Sequence, residues 1–406
     1  MEIINPSNIA IDFGLKTLEK RFAKTKTHHS LKIGIPKEYA INEHRVSITP
    51  SGATILVANG HEVLVEHGAG NFANFSDQDY ADAGAQLIYS TKELYEKSEL
   101  IAKVAPPNKT ETSYLQRNQM LLSALHLGSQ TEEFFDHLIK NHITGVGFEF
   151  IEDDNHSFPI VRMMHEITGS LSVQIAAHYL ETKQNGQGIL LGGISGIPPA
   201  VVVILGAGII AEYAARTALG YGAQVFILDN DLSQLRHMEN TLDRRVITAM
   251  ANPQYIMTAL KHADVVIGAV MDEGKRAPCW VTEDMVAQMK AGSVIVDTVI
   301  DQGGCVETSK ATSIQNPIFT KYDIIHYCVP NIPSTVARTA TTALSNVIVP
   351  FILDIGDKGG IEAALWTNIS LRNGTYAYRK HLTKKSLSEQ FSRPYREIDM
   401  LIASAF

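Results

Sequence analysis

The clearest hydrophobic pattern in the chain is a run of five apolar residues, Val201–Leu205, of which the first four are β-branched. A continuous apolar run of this kind is typical of a strand buried on both faces of a parallel sheet. It is followed by Gly206-Ala207-Gly208-Ile209-Ile210-Ala211, a turn of the form G-x-G-x-x-A. The pattern therefore predicts a buried strand that ends in a tight turn.

After the turn, the pattern changes from the period of a strand to that of a helix. Ile210, Ala214 and Ala218 recur every fourth residue and form one apolar face, and Gly220 is a suitable end for this helix. A second strand, Ala223–Leu228, then brings Asp229 to its carboxyl end. The stretch predicts a strand, a turn, a helix and a second strand in succession.

Each part of this unit suits a dinucleotide. The first two glycines allow a tight turn close to a pyrophosphate, and the N–H groups at the start of the helix attract its charge. Asp229 can accept hydrogen bonds from both hydroxyls of an adenosine ribose, and its charge repels a 2′-phosphate, so NAD is favoured over NADP. We therefore predict an NAD site that includes Gly206, Ala207, Gly208, Ile209, Ala211 and Asp229.

Strands and helices also alternate on both sides of this unit. Upstream, Thr49-Pro50 and Asn59-Gly60 mark the start and end of one helix. The predicted strands there are Leu31–Ile35, His61–His67, Leu100–Val104, Met120–Leu125 and Ile143–Phe150. Two long helices, Met164–Gln184 and Ser334–Asp354, flank the glycine unit, and the tail Gly359–Phe406 is predicted to be mostly helical.

This order predicts an α/β protein with two Rossmann-like doubly wound domains. The NAD-binding domain, residues 161–337, is inserted into a discontinuous substrate domain of residues 31–160 and 338–406, and the two long helices link them. Residues 1–30 are expected to form an N-terminal extension. A cleft between the domains is the expected active site.

The net charge and composition of the chain disfavour several classes of binding partner. A net charge of −8 offers neither a basic stripe for nucleic acid nor a polybasic patch for a membrane. Three scattered cysteines are too few for a disulfide framework or a zinc site, and we expect no metal. We expect no apolar run to reach membrane-spanning length, and the first thirty residues lack the apolar core of a secretory signal. A cytoplasmic location is therefore expected.

Ligands of open α/β sheets bind at the carboxyl ends of the strands, so polar residues at those positions are candidates for chemistry. His126, Asp301 and Asn331 each follow a predicted strand, and Arg45 lies in a polar loop after the first one. Each also has a simpler interpretation: a hydrogen-bonding histidine, an aspartate or asparagine in a turn, or an arginine paired with Glu43 at the surface.

Several segments of the chain together resemble the alanine dehydrogenase family, which shares its fold with the NAD(H)-binding part of proton-translocating transhydrogenase. The resemblance covers Leu31 to about Asp354, with matching order and spacing. Its segments are IPKEYAINEHRVSITPSG, GHEVLVEHGAG, ALHL, LLGGISGIPPAVVVILGAG, VIVDTVIDQGG and HYCVPNIPSTVARTAT.

The resemblance implies reversible oxidative deamination of L-alanine with NAD, to pyruvate, ammonium and NADH, by a homo-oligomer, commonly a hexamer or dimer. Arg45 matches the arginine that binds the substrate carboxylate, and His126 and Asp301 match the catalytic histidine and aspartate. Val270, Met271 and Asn331 match family residues that lie beside the cofactor, and the residue that Asn331 matches also faces the substrate.

The chemistry of these residue types fits that reaction. A guanidinium binds a carboxylate with two parallel hydrogen bonds. A histidine, with an ordinary pKa of about 6.5, can move protons near neutral pH. A carboxylate near the reacting carbon can orient water and stabilise an iminium cation, while the hydride transfer itself belongs to the nicotinamide.

Two positions depart from the family pattern. The family usually carries two lysines at the end of the fourth strand, and the second binds the substrate; here Ala105 stands in its place. Lys103 matches the first lysine and is predicted to bind the substrate instead. His165 occupies a position near the cofactor phosphates where the family commonly has serine.

Three hypotheses follow. The chain is an alanine dehydrogenase, a catalytically weakened or substrate-altered relative that binds NAD(H), as Ala105 suggests, or a transhydrogenase-type NAD(H)-binding subunit. The family of such subunits typically has glutamate in place of Asp301, which disfavours the third hypothesis.

Overall fold

The computed structural model describes residues 28–153, 155–271 and 276–403 of the chain. The chain divides into two compact units. Of the described residues, unit 1 contains those up to Ala40, those within Arg45–Ile160 and those from Thr341 onwards, and unit 2 contains Ile41–His44 and those within Val161–Ala340. The predicted N-terminal extension of residues 1–30 lies outside the described residues, apart from its last three.

The first part of unit 1 alternates strands and helices along the chain. Its elements are β1 Lys32–Ile35, α1 Pro50–Ala58, β2 Glu62–Glu66, α2 Asp77–Asp82, β3 Gln86–Ile88, α3 Thr91–Lys97, β4 Leu100–Ala102, α4 Lys109–Tyr114, β5 Met120–Ser123, α5 Glu132–Asn141 and β6 Thr144–Gly147.

Unit 2 begins within a long helix and continues with a second alternating series. Its elements are α6 Pro159–Tyr179, β7 Val201–Leu205, α7 Ile209–Tyr221, β8 Gln224–Asp229, α8 Leu232–Thr241, β9 Ile247–Met250, α9 Pro253–His262, β10 Val265–Gly268, α10 Glu283–Val286, β11 Val294–Asp297, β12 Ile318–Lys321 and β13 Ile324–Tyr327.

The chain returns to unit 1 near the start of a second long helix. The elements of this last part are α11 Ala337–Asp357, α12 Ile361–Thr367, α13 Ile369–Gly374, β14 Thr375–Tyr378, β15 His381–Leu382, α14 Lys385–Phe391 and α15 Ile398–Ala403.

Each unit is built on one sheet, and the two sheets share a topology. In unit 1 the strand order is β3-β2-β1-β4-β5-β6-β14-β15, and in unit 2 it is β9-β8-β7-β10-β11-β13-β12. All pairings are parallel except those of β14, β15 and β12 at the edges. The order reverses beside β1 and beside β7, so the prediction of an α/β chain with two doubly wound sheets is confirmed.

The apolar run of β7 is explained by burial on both of its faces. Val202 and Ile204 pack into one core cluster, with the inner face of α7, and Val203 and Leu205 pack into the cluster on the opposite face. Because successive side chains of a strand point to opposite faces, a strand covered on both sides needs an unbroken apolar sequence.

Local sequence signals set several helix boundaries correctly. The Thr49 hydroxyl accepts a hydrogen bond of 3.1 Å from the N–H of Gly52, Pro50 is the first helical residue of α1, and Asn59 follows its end, as predicted. The end of α7 differs from the prediction. Its terminal glycine is Gly222, with a φ of +90° in the left-handed region, and Gly220 lies inside the helix.

Features that depend on contacts between distant parts of the sequence differ more from the predictions. The helix predicted over Met164–Gln184 runs instead from Pro159 to Tyr179. The tail is not wholly helical, because β14 pairs with β6 and extends the sheet of unit 1. That pairing joins segments far apart in sequence, and no local pattern signals it.

One helix corrects the expectation that no apolar segment is long enough to cross a membrane. Ile332–Asp357 has a mean hydropathy of 1.4 and qualifies by length and composition, although core helices pass the same test. Two side-chain hydroxyls of this helix accept hydrogen bonds from backbone N–H groups in unit 1. The Thr341 hydroxyl accepts from Val46 at 3.1 Å, and the Ser345 hydroxyl accepts from Thr49 at 3.2 Å.

His61 makes the stability of unit 1 dependent on pH. Its ring is buried and its Nδ1 accepts a hydrogen bond from the N–H of Leu31, so burial, with a smaller contribution from His28, lowers the pKa of His61 to about 4. An unfolded chain binds this proton near pH 6.5. Stability from the neutral ring is therefore present above pH 6.5 and is lost as the pH falls towards 4.

We expect His61→Gln to reduce the slope of the unfolding free energy against pH between 6.5 and 4, because glutamine does not titrate there. Urea denaturation at several pH values measures that slope, and His178→Gln, which replaces an exposed histidine, is the control. Identical slopes for the wild type and His61→Gln would contradict this account.

Candidate functional site

Gly206 ends β7 in a conformation that requires glycine. Its φ is +102°, and a Cβ at this position would lie 2.6 Å from the carbonyl oxygen of Ala269. Its N–H also donates a 2.8 Å hydrogen bond to the carbonyl of Leu228 on β8. The turn therefore lies in close contact with the ends of both neighbouring strands, at the topological switch point of the sheet.

Gly208 is glycine for a different reason. It precedes α7 with a φ of −84°, and a Cβ there would meet nothing within 4 Å. The protein itself leaves this space open, directly before the unpaired N–H groups of a helix N-terminus. Such a position fits the phosphates of a dinucleotide.

The carboxylate of Asp229 is fixed by two backbone groups. Its Oδ2 accepts a 2.7 Å hydrogen bond from the N–H of Ala207, and its Oδ1 accepts one of 2.7 Å from the N–H of Asp231. Each carboxylate oxygen can accept a second hydrogen bond. The structure therefore joins the end of β8 to the glycine turn and leaves Asp229 able to bind hydroxyl groups.

The start of α7 packs closely against α6. Ala211 is fully buried, and a Cβ at Gly169 of α6 would lie 2.3 Å from the carbonyl oxygen of Ile210. Ile209 is the first residue of α7 and is half-buried. His165 lies one turn before Gly169, and burial lowers the pKa of His165 to about 4, so its ring is uncharged at neutral pH.

The other predicted cofactor residues follow β10, the neighbour of β7. The N of Val270 is 3.2 Å from the position that a Cβ of Gly206 would take, so Val270 lies beside the glycine turn. The side-chain amide of Gln302 donates to the sulfur of Met271 at 3.7 Å. Unit 2 thus brings together the ends of β7, β8 and β10.

Asp301 lies in the short turn Ile300–Gln302 that follows β11, and its side chain is exposed. The loop around it is held by Asp297, a buried carboxylate that sequence analysis missed. Oδ2 of Asp297 accepts from the N–H of Cys305 at 3.1 Å and Oδ1 accepts from the N–H of Val299 at 3.3 Å. Burial raises the pKa of Asp297. A carboxylate at the end of an otherwise apolar strand was the available signal.

Asn331 follows β13 with a left-handed φ of +58°. Its amide nitrogen donates a 3.0 Å hydrogen bond to Glu43, which is only 4% exposed. The N–H of His44 donates to the hydroxyl of Ser334 at 2.8 Å. The polar loop before Arg45 is therefore packed into unit 2, and Glu43 is a buried partner of Asn331, a role that sequence analysis missed.

In unit 1, His126 follows β5 in a left-handed conformation with a φ of +47°, and its side chain is exposed. The carboxylate of Glu149 accepts hydrogen bonds from the N–H of Leu125 at 2.9 Å and from the N–H of His126 at 3.0 Å. Sequence analysis missed Glu149, because it lies after the next strand and no local pattern links it to His126.

Lys103 is buried in an ion cluster. It is 1% exposed, and its Nζ lies 3.0 Å from Glu38 and 2.8 Å from Glu111. Burial alone would lower the pKa of Lys103, but the two carboxylates outweigh burial and raise it. The structure thus gives Lys103 an internal partner set, and these contacts do not support its predicted contact with substrate. Ala105, two residues later, is 2% exposed.

Arg45 is 6% exposed, so it is not a surface residue paired with Glu43 in solvent. The loop that follows it is anchored at the carboxyl end of β4, where the hydroxyl of Ser47 donates a 2.7 Å hydrogen bond to the carbonyl of Ala102. Arg45 and Lys103 therefore both belong to the switch point of the unit 1 sheet, between β1 and β4.

Among residues 28–153, 155–271 and 276–403, no cluster of three or more His, Cys, Asp or Glu side chains has an arrangement suited to a metal ion.

A doubly wound unit with a tight glycine turn, open space before the following helix and a carboxylate at the end of the second strand is the architecture of Rossmann-type dinucleotide-binding domains. The match to family models is more specific. The N-terminal domain model of the alanine dehydrogenase/PNT family matches residues 34–168, and its C-terminal domain model matches residues 172–385. The chain belongs to the alanine dehydrogenase/PNT family, as the resemblance of its motifs predicted.

Individual relatives agree with this membership. An alanine dehydrogenase from Methanococcus maripaludis is 40% identical, over 89% of this chain and 97% of the relative. One from Staphylococcus haemolyticus is 41% identical, over 91% of this chain and 98% of the relative. A solved L-alanine dehydrogenase is 40% identical with a TM-score of 0.84, over 89% of this chain and 99% of that one. The chain is therefore an enzyme of the oxidoreductase class.

A solved transhydrogenase from Sinorhizobium meliloti shares the fold at 20% identity, with a TM-score of 0.75, over 87% of this chain and 99% of that one. At that identity, the likeness concerns the fold alone.

The two glycines of the turn give a matched pair of tests. We expect Gly206→Ala to destabilise the protein by about 1–3 kcal/mol, because alanine at a positive φ is strained and its Cβ meets the Ala269 carbonyl. Gly208→Ala should change stability by less than about 0.5 kcal/mol. It should weaken NAD binding by about tenfold or more, because its methyl group fills the open space.

Urea denaturation and calorimetric titration with NAD measure these two effects. Gly208→Ala protein with wild-type stability and wild-type NAD affinity would show that the open space at Gly208 is not where the dinucleotide binds.

Proposed function

We propose that the chain is an NAD-dependent alanine dehydrogenase, which reversibly converts L-alanine, NAD⁺ and water to pyruvate, ammonium, NADH and a proton. The observation that carries this proposal is the identity of about 40% to alanine dehydrogenases over nearly their whole length. It is supported by the presence of the family's arginine, histidine, aspartate and asparagine at Arg45, His126, Asp301 and Asn331.

In this proposal unit 2 binds NAD. Gly206, Ala207, Gly208, Ile209 and Ala211 form the turn and helix start for the pyrophosphate, and Asp229 binds the adenosine ribose. His165 donates or accepts a hydrogen bond near the phosphates as an uncharged ring, and Val270 and Met271 line the nicotinamide end. The open space at Gly208 and the spare lone pairs of Asp229 fit this ligand. Bound NAD supplies the hydride acceptor.

The proposed substrate groups are Arg45 and His126 of unit 1 and Asp301 and Asn331 of unit 2. The buried guanidinium of Arg45 binds the carboxylate of L-alanine with two hydrogen bonds, which are strong where water is excluded. Asn331, whose amide is oriented by Glu43, contributes a further polar contact beside the nicotinamide and the substrate. These contacts orient the Cα–H bond of L-alanine for transfer of its hydride.

The remaining work is proton transfer. After the ammonium group of L-alanine has released one proton to solvent, loss of hydride from Cα leaves an iminium cation. The carboxylate of Asp301 stabilises this cation while it orients the attacking water. His126 accepts a proton from that water and returns one to the departing amine, so that the carbinolamine collapses to pyruvate and ammonium. The exposed ring of His126 at the end of β5 is accessible for this exchange.

The substrate contact of Lys103 stays a prediction, and its ion pairs suggest a structural role as well. Because its ammonium is neutralised by Glu38 and Glu111, we propose that it stabilises the switch point of the unit 1 sheet. The proposal also includes a homo-oligomer, a cytoplasmic location and no nucleic-acid or membrane partner, as the charge and family resemblance suggest.

The direct test is NADH formation by the purified protein with NAD and L-alanine at alkaline pH, followed by absorbance. We expect turnover with L-alanine, and a loss of about 100-fold or more in kcat for His126→Ala, because general acid–base catalysis contributes that much. L-serine, glycine and 2-aminobutyrate rank the substrate preference. Absence of turnover with every substrate, together with NAD binding of normal affinity, would favour the weakened relative instead.

Ala105→Lys tests whether the missing family lysine limits the enzyme. We expect lower stability and no gain in kcat/KM, because Ala105 is buried and both nearby carboxylates already bind Lys103, while Glu38 also accepts the N–H of Val104. Ala105→Met controls for side-chain length without charge. A gain in turnover with lysine but not with methionine would mean that this site has lost a group that it needs.

A further inference from the structure

The backbone around His126 is held more tightly than the exposure of its side chain suggests. All four backbone polar groups of Leu125 and His126 are hydrogen-bonded. Their two N–H groups donate to Glu149, the carbonyl of Leu125 accepts from the amide of Gln130 at 2.7 Å, and the carbonyl of His126 accepts from the N–H and hydroxyl of Ser129, both at 2.8 Å. The side chain of His126 is therefore exposed, whereas the backbone that carries it is held by hydrogen bonds.

Glu149 is the long-range member of this set. It lies in the short helical turn Phe148–Phe150 that follows β6, whereas the partners on the carbonyl side lie within five residues of Leu125. Its two oxygens face Leu125 and His126 at 2.9–3.0 Å, distances typical of charge-assisted hydrogen bonds. Glu149 therefore couples the end of β6 to the end of β5.

The conformation that Glu149 supports is unfavourable by itself. His126 has a left-handed backbone, which residues with a Cβ adopt rarely. The adjacent N–H groups of Leu125 and His126 also face the same carboxylate, and leaving that of the buried Leu125 unpaired is costly. A carboxylate satisfies both donors with one group. Without it, both N–H groups lose this acceptor, and only the contacts of Gln130 and Ser129 on the carbonyl side still hold the segment.

We propose that Glu149 is a positioning residue for His126: its carboxylate fixes the left-handed peptide and thereby aims the imidazole for proton transfer. This inference rests on the proposed catalytic role of His126. A ring displaced by about 1 Å loses catalytic efficiency by up to about 100-fold, even when every reacting group is still present. The hydrogen bonds of Glu149 go to the backbone N–H groups of Leu125 and His126, so it acts through His126.

Glu149→Gln is the informative variant, because it keeps the side-chain shape. Its single oxygen can still accept, but its NH₂ group faces the N–H of Leu125, and two donors repel each other. We expect kcat to fall by about 10- to 100-fold, with the KM for L-alanine and the NAD affinity changed by less than about twofold. Glu133→Gln, which removes an exposed carboxylate of α5 paired with Lys109, is the matched control and should behave as wild type.

A double-mutant cycle separates positioning from a general structural role. If Glu149 acts through His126, the double variant Glu149→Gln/His126→Ala is no slower than His126→Ala alone. A further loss equal to that seen in the wild-type background would overturn the proposal. So would a Glu149→Gln enzyme with wild-type kcat, or one whose defect is confined to thermal stability.

NMR of the protein with ¹³C-labelled histidine keeps this test independent of turnover. The Cε1–H signal of His126 is identified by its loss in His126→Ala, and we expect it to move in Glu149→Gln and to stay in place in Glu133→Gln. An unmoved signal contradicts the proposal. If wild-type protein lacks turnover but the signal moves as expected, the proposed function fails while the positioning by Glu149 stands.

Discussion

Parallel strands that are buried on both faces confine polar chemistry to their ends. In β7 every interior position is apolar because cores lie on both sides of the sheet, and the same holds for β5 and β11. The loops at the carboxyl ends then carry some backbone N–H groups that are not hydrogen-bonded to a neighbouring strand. Their acceptors must come from side chains, and the structure supplies carboxylates.

Three carboxylates do this in three loops. Asp229 accepts from the N–H of Ala207 in the glycine turn, Asp297 accepts from both sides of the loop that carries Asp301, and Glu149 accepts from the peptide of His126. In each case a carboxylate binds the backbone of a residue in the candidate site or of the residues that flank it. The charge that stabilises the loop also contributes to the field in which the proposed reaction takes place.

The parts that could be predicted from sequence depend on neighbours along the chain. The cap of α1 at Thr49, the turn at Gly206 and the strand that follows α7 each follow from a few adjacent residues. Hence the fold class and the positions of His126, Asp301 and Asn331 at strand ends were accessible. The pairing of β14 with β6 was not, because the tail contributes a strand to a sheet formed more than two hundred residues earlier.

Lys103 shows why the site was harder to predict than the fold. Its place at the end of β4 suggested a substrate ligand, whereas its charge is satisfied by Glu38 and Glu111 inside unit 1. Charge partners depend on which loops meet, and residue type alone does not reveal them. The hydrogen bonds of Glu43 and Glu149 could not be predicted for the same reason, because both residues lie far in sequence from their partners.

The central claim is that hydride leaves the Cα of L-alanine. Its most direct test is a single incubation of the protein with NAD and L-alanine that carries deuterium at Cα, followed by mass spectrometry of the cofactor and the keto acid. The account predicts one deuterium in the reduced cofactor for each pyruvate formed. Unlabelled reduced cofactor, or label without pyruvate, would contradict it.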